Sequence, residues 1–142
     1  MLTSARNEFA GKVAAINEGA VNDEIEITLT GGDRIVAVIT RTSTASLGLK
    51  VGADALALVK APWVILSVPD NGIKLSTRNR LEGTVKTVKP GAVNTEVEVS
   101  LKGGQTLAAI VTQESAQSLG LAVGKPVLAF FKASHVIVGV KA

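Results

Sequence analysis

Apolar residues along this chain either alternate with polar ones or run in short blocks between glycine-rich breaks, which is the signature of strands rather than long helices. Asn7–Ile16 reads as a strand with Phe9, Gly11, Val13 and Ala15 on one side, and Glu18–Asn22 as a turn. Glu24–Thr30 alternates Ile25, Ile27 and Leu29 against Glu24, Glu26 and Thr28, and Gly31-Gly32-Asp33 then makes a hairpin turn. Arg34–Thr40 is apolar enough for a buried third strand. Thr42–Gly48 is the one helix-like segment, with hydroxyls to cap its start and Gly48 to stop it. Ala55–Lys60 and Val64–Val68 supply two more strands.

The pattern is then written a second time, 72 positions on and without a gap, from Ser4–Asn7 against Ser76–Asn79 to Lys60-Ala61 against Lys132-Ala133. Gly19-Ala20-Val21-Asn22 recurs as Gly91-Ala92-Val93-Asn94, Gly31-Gly32 as Gly103-Gly104, and Leu47-Gly48-Leu49 as Leu119-Gly120-Leu121. On the order of 30 pairs match, which indicates tandem duplication of a folded module rather than a solenoid of short units. The division is a first domain over 1–68, a linker over 69–75 in which Pro69-Asp70-Asn71-Gly72 has turn-forming residues, and a second domain over 76–142. Three meandering strands, a short helix and two more strands give an all-β fold: two tandem OB-like five-stranded barrels, each with one short helix.

Domains of this size bury too little to be comfortably stable alone. The sequence holds no Cys and one His, so neither disulfides nor a cluster of cation ligands can compensate. A hydrophobic content of 46% and mean hydropathy of +0.36 point instead to copy packing on copy and chain on chain, hence to a homo-oligomer. The stretch Met1–Ala10 carries Arg6 and Glu8 and no apolar run, so it reads as neither signal peptide nor membrane span, and the expected location is cytoplasmic, with no membrane partner.

A net charge of +3 is small and its basic residues are scattered. An OB-like barrel raises single-stranded nucleic acid as a partner, but such sites need aromatic platforms. The chain offers Trp63, Phe9, Phe130 and Phe131 and no Tyr, with Phe130 and Phe131 in a strand expected to be buried, so nucleic acid is not expected. Nor is an enzyme. His135 stands where the first copy has Trp63, Glu24, Glu26, Glu96 and Glu98 alternate with apolar residues on what reads as a solvated face, and the Gly-Gly pairs are hairpins rather than phosphate loops.

What recurs in both copies is a set of hydrogen-bond donors at strand and helix ends. Ser4, Arg6, Asn7, Thr40, Ser43 and Lys60 return as Ser76, Arg78, Asn79, Thr112, Ser115 and Lys132. Guanidinium, ammonium, hydroxyl and free backbone N–H groups together make an anion cradle. Carboxylates are absent from these segments apart from Glu8 and Glu114 at their margins, which suits a fully deprotonated, sulfate-like dianion. Spacing alone leaves the plainer alternative open, and favours it: Arg6 and Arg78 pair with surface acids, and Ser43 and Ser115 cap helices.

Thr3-Ser4-Ala5-Arg6-Asn7, Ile39-Thr40 with Ser43, Leu47-Gly48-Leu49 and Lys60-Ala61-Pro62-Trp63-Val64 resemble the molybdenum-pterin-binding (Mop) modules of the molbindins, and the tandem arrangement resembles a di-Mop molbindin. It is also similar to the effector-binding half of the molybdate-responsive transcription regulator. The resemblance covers essentially the whole chain and implies non-covalent binding of molybdate, with tungstate as a second ligand, for storage or homeostasis. It implies no catalysis, no cofactor and no metal ligated directly. Carried over, Ser4, Arg6 and Asn7 face Thr40, Ser43, Lys60 and Ala61 of another module, and Thr77, Arg78 and Asn79 face Thr112, Ser115, Lys132 and Ala133. A two-module chain is expected to form a trimer, with the turns Gly19-Ala20-Val21-Asn22 and Gly91-Ala92-Val93-Asn94 as candidates for sites on its axes; these residues read equally as turn residues with positive φ. The alternative is a regulatory or interaction module of a transporter or transcription system.

Overall fold

The computed structural model describes residues 3–69 and 72–142, so the expected linker turn at Asp70-Asn71 lies outside the described residues. The first copy forms β1 (Arg6–Glu18), β2 (Asn22–Leu29), β3 (Arg34–Thr40), α1 (Arg41–Ser46), β4 (Asp54–Lys60), a 3-10 turn at Ala61–Trp63 and β5 (Ile65–Ser67). The second repeats the order with β6 (Asn79–Pro90), β7 (Asn94–Leu101), β8 (Thr106–Thr112), α2 (Gln113–Ser118), β9 (Pro126–Phe131), a 3-10 turn at Ala133–His135 and β10 (Ile137–Gly139). Two curled antiparallel five-stranded sheets result, the two OB-like barrels that the patterning implied.

The fifth strands are exchanged. One sheet runs β10-β4-β1-β2-β3 and the other β5-β9-β6-β7-β8. Ile65, Leu66 and Ser67 pair with Phe130, Ala129 and Leu128, while Ile137, Val138 and Gly139 pair with Leu58, Ala57 and Leu56. The reason is visible in the 3-10 turns. Each carries the chain off its own β4 or β9 and packs on the other copy's third strand, Ala61–Trp63 on β8 and Ala133–His135 on β3. Residues from both copies therefore share one continuous apolar core, from Phe9, Ile25 and Val59 to Val97, Leu107 and Phe131. Each such side chain removed from water contributes about 1.5–3 kcal/mol, and neither copy assembles its full share alone.

Two local features depart from simple alternation. β1 extends to Glu18, and an extra residue at Ala14 shifts its register on β2, so that Val13 pairs with Ile27 but Ile16, not Ala15, pairs with Ile25. The same bulge sits between Val85 and Thr87. It is what bends a long strand across both walls of a barrel. The helix starts at Arg41, one residue before the expected segment, and its cap is Thr40 rather than Ser43: Thr40 Oγ1 accepts from Ser43 N at 3.1 Å, and Gly48 ends it in the left-handed region with φ 63°.

Equivalent positions meet along a local two-fold axis. The Gly31 and Gly103 turns touch so closely that a Cβ on Gly31 would lie 1.8 Å from the Gly103 carbonyl oxygen. Trp63 and His135 stack with ring centroids 4.9 Å apart.

Candidate functional site

Antiparallel pairing of the first and fourth strands of each copy brings the recurrent cations together. Arg6 lies opposite Lys60 in the β1–β4 register. In the second copy Asn79 lies opposite Phe131, so Arg78 and Lys132, one position beyond each, share the same sheet end. Two neighbouring cations repel, and the fold supplies counter-charges from the other copy. Arg6 bonds Glu96 on β7, and Arg78 reaches Glu24 on β2 at 2.6 Å and Glu26 at 3.5 Å. The bond to Arg6 holds the Glu96 carboxyl below its usual range, and Glu96 in turn raises the Arg6 guanidinium.

Here the structure corrects the sequence reading of Glu24, Glu26, Glu96 and Glu98 as a solvated face. Their side chains are partly covered: arginines at the start of the other copy's first strand engage Glu24, Glu26 and Glu96, Arg34 of the same copy engages Glu26 at 3.1 Å, and Thr87 of the same copy donates to Glu98 at 2.8 Å. These are the partners of the candidate site's arginines that sequence reasoning missed. They recur at the same 72-residue offset as the donors, which is a signal, but alternation alone could not show that a cation from the other copy covers them.

Asn7 and Asn79 are 1% and 0% exposed and their amides are taken up by backbone. Asn7 Nδ2 donates to Ala108 O at 2.8 Å while Oδ1 accepts from Ala108 N at 2.7 Å. Asn79 does the same to Val36, both bonds at 2.7 Å. These clamps fix where the adjacent arginines leave the sheet. Arg6 also has φ 71°, the one non-glycine among the described residues with positive φ, a conformation that side chains rarely adopt without being held there.

Around Arg78 the arrangement opens into a cleft of 570 Å³ lined by Ser76, Thr77, Arg78, Lys132, Ala133, Ser134 and His135, with Trp63, Ile65 and Val38 from the first copy. Thr77 Oγ1 donates to Phe131 O at 2.5 Å and accepts from Asn79 N at 3.3 Å, so it ties the arginine segment to β9. Thr112 and Ser115 do not line this cleft, whose opposite wall is β3 of the first copy. In both copies the hydroxyls do cap: Thr40 on Ser43 N, and Thr112 on Ser115 N at 3.1 Å. Thr40, Thr112 and Ser115 remain exposed, as do Ser4, Lys60 and Lys132, whereas Ser43 is half-buried and Ala61 buried. The Lys60 ammonium sits 5.5 Å from the Trp63 ring centroid.

The chain matches the TOBE domain twice, over residues 3–66 and 75–138. It belongs to the TOBE-domain family. A solved structure of the cytoplasmic molybdate-binding protein ModG, in a form with molybdate bound, superposes with a TM-score of 0.96 at 50% identity and covers 99% of this chain and 100% of that one. The molybdenum transport protein ModE of Herbaspirillum seropedicae is 43% identical over 141 residues, covering 99% of this chain and 52% of that protein. The molybdenum-pterin-binding protein MopA of Rhodobacter capsulatus is 43% identical over 137 residues, 96% of this chain and 52% of that one. The chain thus spans about half the length of the curated relatives it matches. The resemblance to tandem Mop modules holds along both copies.

In this TOBE pair the turns Gly19–Asn22 and Gly91–Asn94 stand exposed, with Val21 and Val93 each 73% accessible. Their glycines are required by closeness rather than by positive φ: a Cβ would come 2.3 Å from Asn22 O at Gly19 and 2.5 Å from Asn94 O at Gly91. The copies differ in how the turns are braced. Buried Asp23 accepts from Gly19 N at 3.2 Å and faces Arg41 at 3.9 Å, whereas the second copy has Thr95 and Gln113 in those places. Among the described residues no helix is long and apolar enough to cross a membrane.

Proposed function

We propose that this chain binds molybdate non-covalently, with tungstate as a second ligand, and releases it unchanged, serving molybdenum storage or homeostasis in the cytoplasm. The observation that carries this is the pairing of Arg6 with Lys60 and of Arg78 with Lys132 at equivalent sheet ends, in a chain end-to-end similar to a molybdate-binding protein. Two cations flanked by hydroxyls complement a dianion without protonating it. In this reading Ser4, Arg6, Lys60 and Ala61, and Thr77, Arg78, Lys132 and Ala133, hold the anion, with Asn7 and Asn79 anchoring the arginines. Thr40, Thr112 and Ser115, which are exposed, and the half-buried Ser43 contribute hydroxyls from a neighbouring module. The exposed turns at Val21 and Val93 suit contacts between chains, in keeping with a trimer whose interfaces complete the sites.

Calorimetric titration with molybdate, on protein whose mass in solution has been measured, tests this directly. Saturable uptake of several anions per oligomer, little affected by sulfate or phosphate, is expected; a folded oligomer that takes up none refutes it. A second reading, a sensing module within a transport or regulatory assembly, draws support from the occurrence of the same unit within longer relatives such as ModE.

A further inference from the structure

We propose that Glu24 and Glu96 act as internal competitors for the anion, each occupying the arginine of an empty site and having to be displaced before a ligand binds. This rests on the assignment of Arg6 and Arg78 to oxyanion sites. The arrangement occurs twice by the same local symmetry: Arg6 is held by Glu96 and Arg78 by Glu24, with Glu26 a longer contact to Arg78 at 3.5 Å, each carboxylate coming from the second strand of the other copy. Glu24 pairs in register with Val38, which lines the cleft that Arg78 and Lys132 share, so the carboxylate stands at the mouth of the site rather than elsewhere on the barrel. The mutual perturbation of Arg6 and Glu96 agrees with a guanidinium already engaged.

The consequence is a threshold. A singly charged anion replaces one carboxylate charge by another and gains little, whereas a dianion brings a second charge to the neighbouring lysine. These pairs are partly exposed, with arginine side chains 46% and 52% accessible, so the barrier each imposes is that of a surface ion pair. Its removal is worth about fivefold in affinity at most.

The test is titration of wild type and the E24Q/E96Q variant with molybdate and with perrhenate, a tetrahedral oxyanion of single charge, with E82Q as a control that removes an exposed carboxylate paired with Lys102 on the outer face of β6. Affinity three- to fivefold tighter in the double variant, by a similar factor for both anions and unchanged in E82Q, is expected. Unchanged or weaker binding would mean the carboxylates only align the arginines. A factor for molybdate near the square of that for perrhenate would mean they act as a distant negative field; either result overturns the proposal. Both pairs link the copies, so melting temperatures are measured alongside, and the E24Q and E96Q single variants, each retaining one link, read the same shift in half of the sites. Failure of wild type to bind molybdate overturns the assigned function itself, and this inference with it.

Discussion

Asn7 and Ala108, 101 residues apart, form a two-bond ring in which a side-chain amide imitates the edge of a strand, and Asn79 and Val36 repeat it across the local two-fold axis. Each ring satisfies a backbone N–H and C=O that the third strand would otherwise bury unpaired. Asn7→Ala or Asn79→Ala should therefore cost about 2–4 kcal/mol, well above the loss of one ordinary hydrogen bond. Urea unfolding measures this, and a loss below about 0.5 kcal/mol for both would show that water replaces the amide.

The exchanged strands make a prediction about the halves. β5 and β10 occupy equivalent positions, and each completes a barrel built by the other copy. A fragment of residues 1–68 keeps β5 but lacks β10, leaving the β4 edge open. Two such fragments can satisfy one another, since the Ile65–Ser67 strand of one supplies what Ile137–Gly139 supplies in the intact chain. The fragment is expected to fold only as it associates, with stability rising with concentration; a folded monomer in a sedimentation experiment would contradict the exchange.

Much of this architecture was legible in the sequence because duplication prints every element twice. The Ile25, Ile27, Leu29 alternation placed β2, and Gly31-Gly32 placed the hairpin. What was not legible depends on contacts between copies. The bulge at Ala14 leaves no composition signal, so simple alternation puts Ala15 on the side of Phe9 and Val13, where Ile16 pairs with Ile25 and packs on the core instead. The exchange of β5 and β10 is invisible because both alternatives use the same apolar residues. At the site, the donors Arg6, Lys60, Arg78 and Lys132 were found as repeats, yet their carboxylate partners were not, since the pairing of Glu24 with Arg78 spans 54 positions.

The Gly31–Gly103 contact separates steric from conformational demands on glycine. Gly31 has φ +98° and no space for a Cβ, whereas Gly32 has φ +100° and open space. Gly32→Ala should cost roughly 1 kcal/mol of backbone strain alone. Gly31→Ala must also push the two turns apart and is expected to cost about 2–4 kcal/mol. Equal melting temperatures for the two variants would show that the turns separate freely.

Acid should weaken the joint between the copies. The Glu96 carboxyl is held below its usual range by Arg6, so it binds its proton more weakly folded than unfolded. Its contribution is complete above the ordinary carboxylate range and is lost as pH falls through the lowered folded value. With Arg6 46% accessible the effect is at most about 1 kcal/mol. The Glu96→Gln variant should show a correspondingly flatter fall of stability below pH 5; an acid limb identical to that of wild type would remove Glu96 from the account.

Trp63 offers a direct view of the site, because it is the one tryptophan, is 37% exposed, and carries the Lys60 ammonium near its ring. An anion that bonds Lys60 draws the ammonium from the ring face and alters the ring's surroundings. Molybdate should therefore change the emission saturably, with the same midpoint as calorimetry, while sulfate at equal concentration should not. Hydrogen bonds to charged groups contribute about 1.5–3 kcal/mol, so Arg6→Ala and Lys60→Ala should each weaken binding about ten- to a hundredfold. Arg78→Ala and Lys132→Ala act on the equivalent position, where Ser134 and His135 replace Pro62 and Trp63, and should lower the binding capacity seen by calorimetry; Trp63 also lines the Arg78 cleft, so its emission change should fall with them. Unchanged affinity and capacity in all four variants would show that molybdate binds elsewhere on the barrels and that these cations serve only to join the copies.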